Sequence, residues 1–339
     1  MIHGRLPWPL VFQLLSVVAA VWLIVVTWQL WLLVFIALII AAAILPAARL
    51  GERYRVPRGV TVLTAYVLVL AVMALVGRLL WPALTEQWAQ FTDQLPRLID
   101  NVKSRFGELR YFLDRWGAEL PAPKGDSLQV VAGALLASTA RLGAGTVGVA
   151  FELLAVLVIA SYLVIDAPHV GRTLLALLPP GSRATATRLA PAVMDRIGGY
   201  VRGQLVSSAC VGAIIAVALA LLGVRYSLLL GAIAAVFNIV PFVGAALAAV
   251  LAVLAALNDS LTLAALTLAA MVAASTVEGK LLAPYFVGRA TGLHPLTVLI
   301  ALLAGFQMAG LIGALVAVPF LAGLWEIIRT LWVEPRRQV

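Results

Sequence analysis

Apolar residues run along this chain in long blocks separated by short polar joints. A membrane-spanning helix needs about 20 mostly apolar residues. Blocks of that order lie at Leu10 to Val26, Leu30 to Leu45, Gly59 to Leu80, Gly145 to Ile165, Leu205 to Leu222, Ser227 to Leu257, Leu261 to Val277 and Pro295 to Leu331. Only Thr27, Trp28 and Gln29 separate the first two, which predicts a tight helical hairpin. The first block is also longer than the ~7–15-residue core of a signal peptide, so it reads as a membrane helix.

Two blocks do not fit a simple span. Ser227 to Leu257 is too long for one crossing and too short for two with a turn, and Pro241 and Gly244 lie near its middle. The last block carries Gly305, Gly310 and Gly313 before Pro319 and poses the same problem. A second proline and glycine pattern, Leu282-Ala-Pro-Tyr-Phe-Val-Gly288, lies between them. Non-helical backbone survives at membrane depth only where protein or a cavity surrounds it, and paired breaks of this kind point to a transporter's substrate site. The expected fold is an all-α polytopic membrane protein of about eight transmembrane helices, with broken or re-entrant helices in its C-terminal half.

One stretch breaks the block pattern. Large apolar residues recur every three or four positions from Trp81 through Leu84, Trp88, Phe91, Leu95, Leu98, Val102, Phe106, Leu109 and Leu113 to Trp116, with charged residues between. This is an amphipathic helix outside the membrane, lying on the surface, packing on its neighbours or joining subunits. Pro96 is expected to split it in two, and Pro121-Ala-Pro-Lys-Gly125 to follow as a loop. The chain then divides into N-terminal transmembrane helices (1–81), the extracytoplasmic amphipathic segment (82–130), a long fourth helix with an arginine-rich cytoplasmic helix (131–202) and a transport region (203–339).

Composition agrees with the blocks. Hydrophobic residues make up 63% of the chain and charged residues 12%, about half the charge of a soluble domain. The net charge of +9 is carried by arginines in short joints and forms no nucleic-acid-binding stripe, so it bears on orientation. Arg49, Arg53, Arg55 and Arg58 follow the second block, and Arg172, Arg183, Arg188, Arg196 and Arg202 follow the fourth. The positive-inside rule places both groups, and with them the amino terminus, in the cytoplasm. Cys210 is the single cysteine, which excludes an intrachain disulfide and a cysteine metal cluster.

Candidate chemistry is sparse. Gly143-Ala-Gly145-Thr-Val-Gly148 matches a dinucleotide-binding pattern, but no strand context surrounds it, and small-residue helix packing accounts for it. There is no phosphate-binding loop of an ATP-driven pump and no metal-ligand spacing, and no cofactor is implied. Ionisable residues inside spans are costly, so each is a candidate. Glu278 and Lys280 close a block just before Pro284, with Gly279 as a break that turns both toward a cavity or as a plain helix end. Glu152, in the fourth block, is either a relay or a hydrogen bond to a neighbouring helix, and Asp166 closes that block. His294 precedes Pro295 after the second break, where a titrating group can couple to protons. Asn238, beside Pro241, either binds a polar solute or caps the broken helix. Gln204 and Gln307 are further polar intrusions.

Taken together, Asn238-Ile-Val-Pro241-Phe-Val-Gly244, Val277-Glu278-Gly279-Lys280 leading to Pro284 and Gly288, Leu293-His294-Pro295-Leu296 and Gly310-Leu-Ile-Gly313-Ala-Leu-Val-Ala-Val-Pro319 resemble the AI-2E family of autoinducer-2 exporters. The resemblance extends over nearly the whole chain. It implies a bacterial inner-membrane carrier of about eight helices, homo-oligomeric with a pentamer as the expected form, in which the broken-helix half moves like an elevator against a scaffold. It also implies export of a small polar solute such as autoinducer-2, or exchange of sodium or lithium for protons. On this reading Asn238, Pro241, Gly244, Glu278, Pro284, Gly288 and His294 line the path, and Glu278 or Glu152 carries the coupling ion. A non-transporting scaffold is the remaining alternative, and would tolerate loss of the helix breaks.

Overall fold

The structure, a computed structural model, describes residues 15–19, 22–23, 25–114, 146–241, 243–288 and 292–333. The opening residues, the loop at Pro121 to Gly125, Gly143, Gly145, Trp116 and the arginines Arg336 and Arg337 lie outside the described residues. Among the described residues there are helices and turns and no strand. The helices are α1 (Trp28–Arg53), α2 (Arg58–Asp114), α3 (Thr146–Ile165), α4 (Ala167–Ala176), α5 (Pro180–Leu221), α6 (Ser227–Phe237), α7 (Val243–Asp259), α8 (Leu261–Val277) and α9 (Pro295–Ile328), with a π-helix at Glu278–Gly288. Five helical stretches are long and apolar enough to cross a membrane, and α3 with α4 makes a sixth if that bent pair is one span. The protein is a polytopic all-α membrane protein.

Three local features bear on these expectations, and one of them, the unbroken helix through Pro96, is a correction. Thr27 has φ −98° and ψ 19°, nearly the dihedrals of Asp166 (φ −100°, ψ 20°), where α3 and α4 meet at 79°. A residue in this conformation interrupts a helix, so Thr27 marks the joint between the first two apolar blocks. Second, α2 is helical through Pro82 and Pro96 as a single 57-residue helix. Its polar half is fixed by tertiary contacts: Phe91 packs edge-on to Tyr226, Gln94 accepts from the Tyr226 hydroxyl at 2.9 Å, and Gln87 accepts from the Leu229 amide at 2.9 Å. Of the roles open to the amphipathic segment, it takes that of packing on its neighbours. Third, the last apolar block folds back within α9. Ala309 and Gly310 leave the helical region, and Gly310 takes φ 58° and ψ −142°, a conformation open almost only to glycine.

The consequence is two helical hairpins. In the first, α6 and α7 fold together around residues 238–243, and a Cβ on Gly244 would strike the Asn238 amide and the Ala234 carbonyl. In the second, the two arms of α9 meet at Gly305 and Gly313, where a Cβ on either would strike the carbonyl of the other. The hairpins enter from opposite sides. The feet of the first lie together where Arg225 pairs with Asp259 at 3.6 Å, at the C-terminal end of α5. The second is anchored near the other end of α5, where Arg196 pairs with Glu326 at 2.7 Å. On that same side Arg49 pairs with Asp195 at 2.8 Å, so the two arginine-rich joints share one face of the molecule.

Helix α5 is the central post. Gly212 on α5 and Gly231 on α6 bring the two backbones together, with no room for a Cβ on either. Toward its other end, Gly198 lies against the Ala42 carbonyl of α1. Pro46 inside α1 has no N–H to give that carbonyl. Arg202 supplies the missing donor, at 3.2 Å to Ala42 O and 3.1 Å to Ala43 O.

Candidate functional site

The tip of the first hairpin is where the chain concentrates its buried polar groups. Phe237 ends α6, and Asn238, as its C-cap, donates its amide to Ala234 O at 2.9 Å. The carbonyl of Asn238 accepts from Gln204 Nε2 of α5 at 2.6 Å, and its side-chain Nδ2 donates to Glu278 Oε1 at 2.7 Å. Asn238 is fully buried. Its Oδ1 has no partner and is an acceptor left open at the tip. Such an atom costs about 1–3 kcal/mol unless something donates to it.

Glu278 reaches this point because the helical register changes there. The π-helix that follows α8 begins at Glu278 and carries Pro284 within it. Its wider turn leaves the Glu278 carboxylate facing the tip of the first hairpin, while Lys280 is exposed and lines nothing at the site. Gly279 therefore does not turn both charged groups inward, as the sequence allowed, but only one. Beside the pair lies a cavity of about 680 Å³ between the hairpins, α5 and α8. Tyr200, Gln204, Ser207 and Glu278 line it, with Pro241 from the first hairpin and Val318 from the second. The two hairpins share one buried apolar cluster, to which Val240 of the first and Leu302, Ala314 and Val318 of the second belong together with Tyr200 of α5.

Of the sequence candidates, Asn238, Pro241, Glu278 and Pro284 converge here. Gly244 acts one step back, by letting the arms of the first hairpin close. Gly288 ends the π-helix. His294 is exposed and caps α9, its Nδ1 accepting from the Leu296 amide at 3.3 Å; its neighbour Leu293 faces the cavity instead. Glu152 is exposed on α3, which packs on α1 and α2 and away from the site, so the structure does not bring it to Glu278. Sequence reasoning gave Gln204 only weak support and passed over Tyr200 and Ser207. Their spacing of three and four along α5 is a signal visible once α5 is known to border the breaks. Among the described residues no group of acidic, histidine or cysteine side chains is placed to hold a metal.

Opposed helical hairpins packed together beside a cavity, with a part-buried polar pair at the tip of the first, in a polytopic helical protein, define a membrane transporter. A family model described as AI-2E family transporter matches residues 10–332, and the chain belongs to that family. Among its relatives, YrrI of Bacillus subtilis (strain 168) is 27% identical, over 89% of this chain and 86% of its own length. MT0215 of Mycobacterium tuberculosis (strain CDC 1551 / Oshkosh) is 28% identical, over 93% and 86%. The AI-2 transport protein TqsA of Escherichia coli (strain K12) is 25% identical, over 84% of this chain and 81% of its own length.

Proposed function

We propose that this protein is a secondary transporter of the bacterial inner membrane that carries a small solute through the cavity between the hairpins. The observation that supports this most is the hydrogen bond from Asn238 to Glu278, which joins the tip of one hairpin to the helix leading into the other beside a cavity. In this reading the arginine-rich face is cytoplasmic, the hairpins and α8 move as a unit against α1 to α3, and the functional form is a homo-oligomer. Autoinducer-2 is the first solute to test, because the relative TqsA is named for it. In proteoliposomes under an imposed proton or sodium gradient, autoinducer-2 flux should follow the gradient and fall at least tenfold in Glu278→Gln. Gradient-driven flux that is unchanged in that variant would remove Glu278 from the mechanism.

A second reading, exchange of sodium or lithium for protons, is favoured by the charge of the site. Among the described residues lining the cavity Glu278 is the single carboxylate and none is cationic, and Asn238 Oδ1 is an open acceptor next to it. Antiport predicts a change in internal pH on adding sodium or lithium with no organic solute present. A pH trace indifferent to both cations would rule this reading out.

A further inference from the structure

The cavity is larger and more apolar than a small polar solute needs. Its volume of about 680 Å³ lies well inside the range of roughly 300–1,000 Å³ that encloses drug-sized ligands. Its polar groups are not spread around the wall. Tyr200, Gln204, Ser207, Ser275, Thr276 and Glu278 come from α5, the C-terminal end of α8 and the start of the π-helix, at the pole where Glu278 meets the hairpin tip. Away from that pole the first hairpin presents Ala245, Ala246 and Ala249 of α7, and α8 presents Leu268, Met271 and Val272. These positions follow helical spacing of three and four, so each helix turns one apolar face to the cavity along about one to two turns. A polyol placed against those faces would leave its hydroxyls without partners, whereas an alkyl or ring segment would be favoured there by about 25 cal/mol per Å² of apolar area buried.

The polar pole is also selective in charge. Its carboxylate accepts only, as does the unpartnered Oδ1 of Asn238, the fully buried residue bonded to it, while the hydroxyls around them can donate or accept. No lysine, arginine or histidine among the described residues lines the cavity to receive an anion. We propose that the cavity takes an amphiphile, with a hydrogen-bond-donating head, neutral or cationic, at Glu278 and Asn238 and an apolar body along α7 and α8. This rests on the transporter reading and narrows its substrate class. Autoinducer-2 or any other solute without an apolar body would use the polar pole alone.

The test is binding, read separately from flux. Full-length protein in lipid nanodiscs is titrated calorimetrically with ethylammonium, hexylammonium and hexanoate, with protein-free nanodiscs subtracting the partition of each probe into lipid. Hexylammonium should bind saturably, each methylene beyond ethylammonium should tighten binding by about fourfold at most, and hexanoate should bind at least tenfold more weakly than hexylammonium. Ala249→Phe, which fills the apolar end, should flatten the dependence on chain length while ethylammonium binding persists; Ala249→Leu serves the same purpose if the larger side chain prevents folding. Equal affinity for ethylammonium and hexylammonium would overturn the apolar subsite. Equal affinity for hexanoate and hexylammonium would overturn the charge preference, and absence of saturable hexylammonium binding would overturn both. The transporter reading itself fails only if gradients drive no flux, so the two failures are distinguishable.

Discussion

The residue that carries most of the argument is Asn238, because it does structural and functional work with different atoms. Its backbone closes α6 and receives Gln204, while its side chain holds Glu278. Asn238→Ala should therefore impair transport as Glu278→Gln does and also lower the unfolding temperature, since Glu278 loses a charge-assisted donor worth about 1.5–3 kcal/mol. Glu278→Gln should leave thermal stability nearly unchanged, and thermal unfolding in detergent separates the two effects. Lys280→Gln, at an exposed position off the cavity, should match wild type in flux. A second residue-scale device lies at Arg202, whose guanidinium serves the carbonyls beside Pro46. Arg202→Ala leaves those acceptors unmet and should cost about 1–3 kcal/mol. Arg202→Lys, a point donor without the planar fork, should recover part of that loss in the same unfolding measurement.

At the scale of elements, the hairpins are defined by glycine. Gly310→Ala forces a side chain into φ 58°, ψ −142° and should cost on the order of 1–3 kcal/mol while reducing flux by disordering the second tip. Gly212→Val should destabilise comparably by separating α6 from α5, since its Cβ would meet the Gly231 carbonyl and Ala235. Much of this level was legible beforehand. The apolar blocks marked the helices, and a block too long for one span, broken by Pro241 and Gly244, marked the first hairpin. The second was less legible because Gly305, Gly310 and Gly313 also fit a helix-packing face. What separates the cases is the backbone dihedral of Gly310, which no composition rule encodes. Pro96 misled for the converse reason: proline disfavours a helix interior locally, but anchoring of α2 by Gln87, Phe91 and Gln94 to the first hairpin holds the helix through it. The candidate site was legible where breaks and charge coincided, at Asn238, Pro241 and Glu278, and illegible at Tyr200 and Ser207, which sit in an unbroken helix.

For the whole molecule, the account makes the cavity between opposed hairpins a site open to one side of the membrane and then to the other. Its most direct test uses Ser275, which lines the cavity on α8. In Ser275→Cys built on Cys210→Ala, which leaves no other cysteine, a membrane-impermeant maleimide is applied to proteoliposomes from outside or from within. Reversing the imposed gradient should shift labelling from one side to the other, and Glu278→Gln should reduce that shift. Labelling confined to one side under every gradient, in protein that still carries solute, would contradict alternating access at this site.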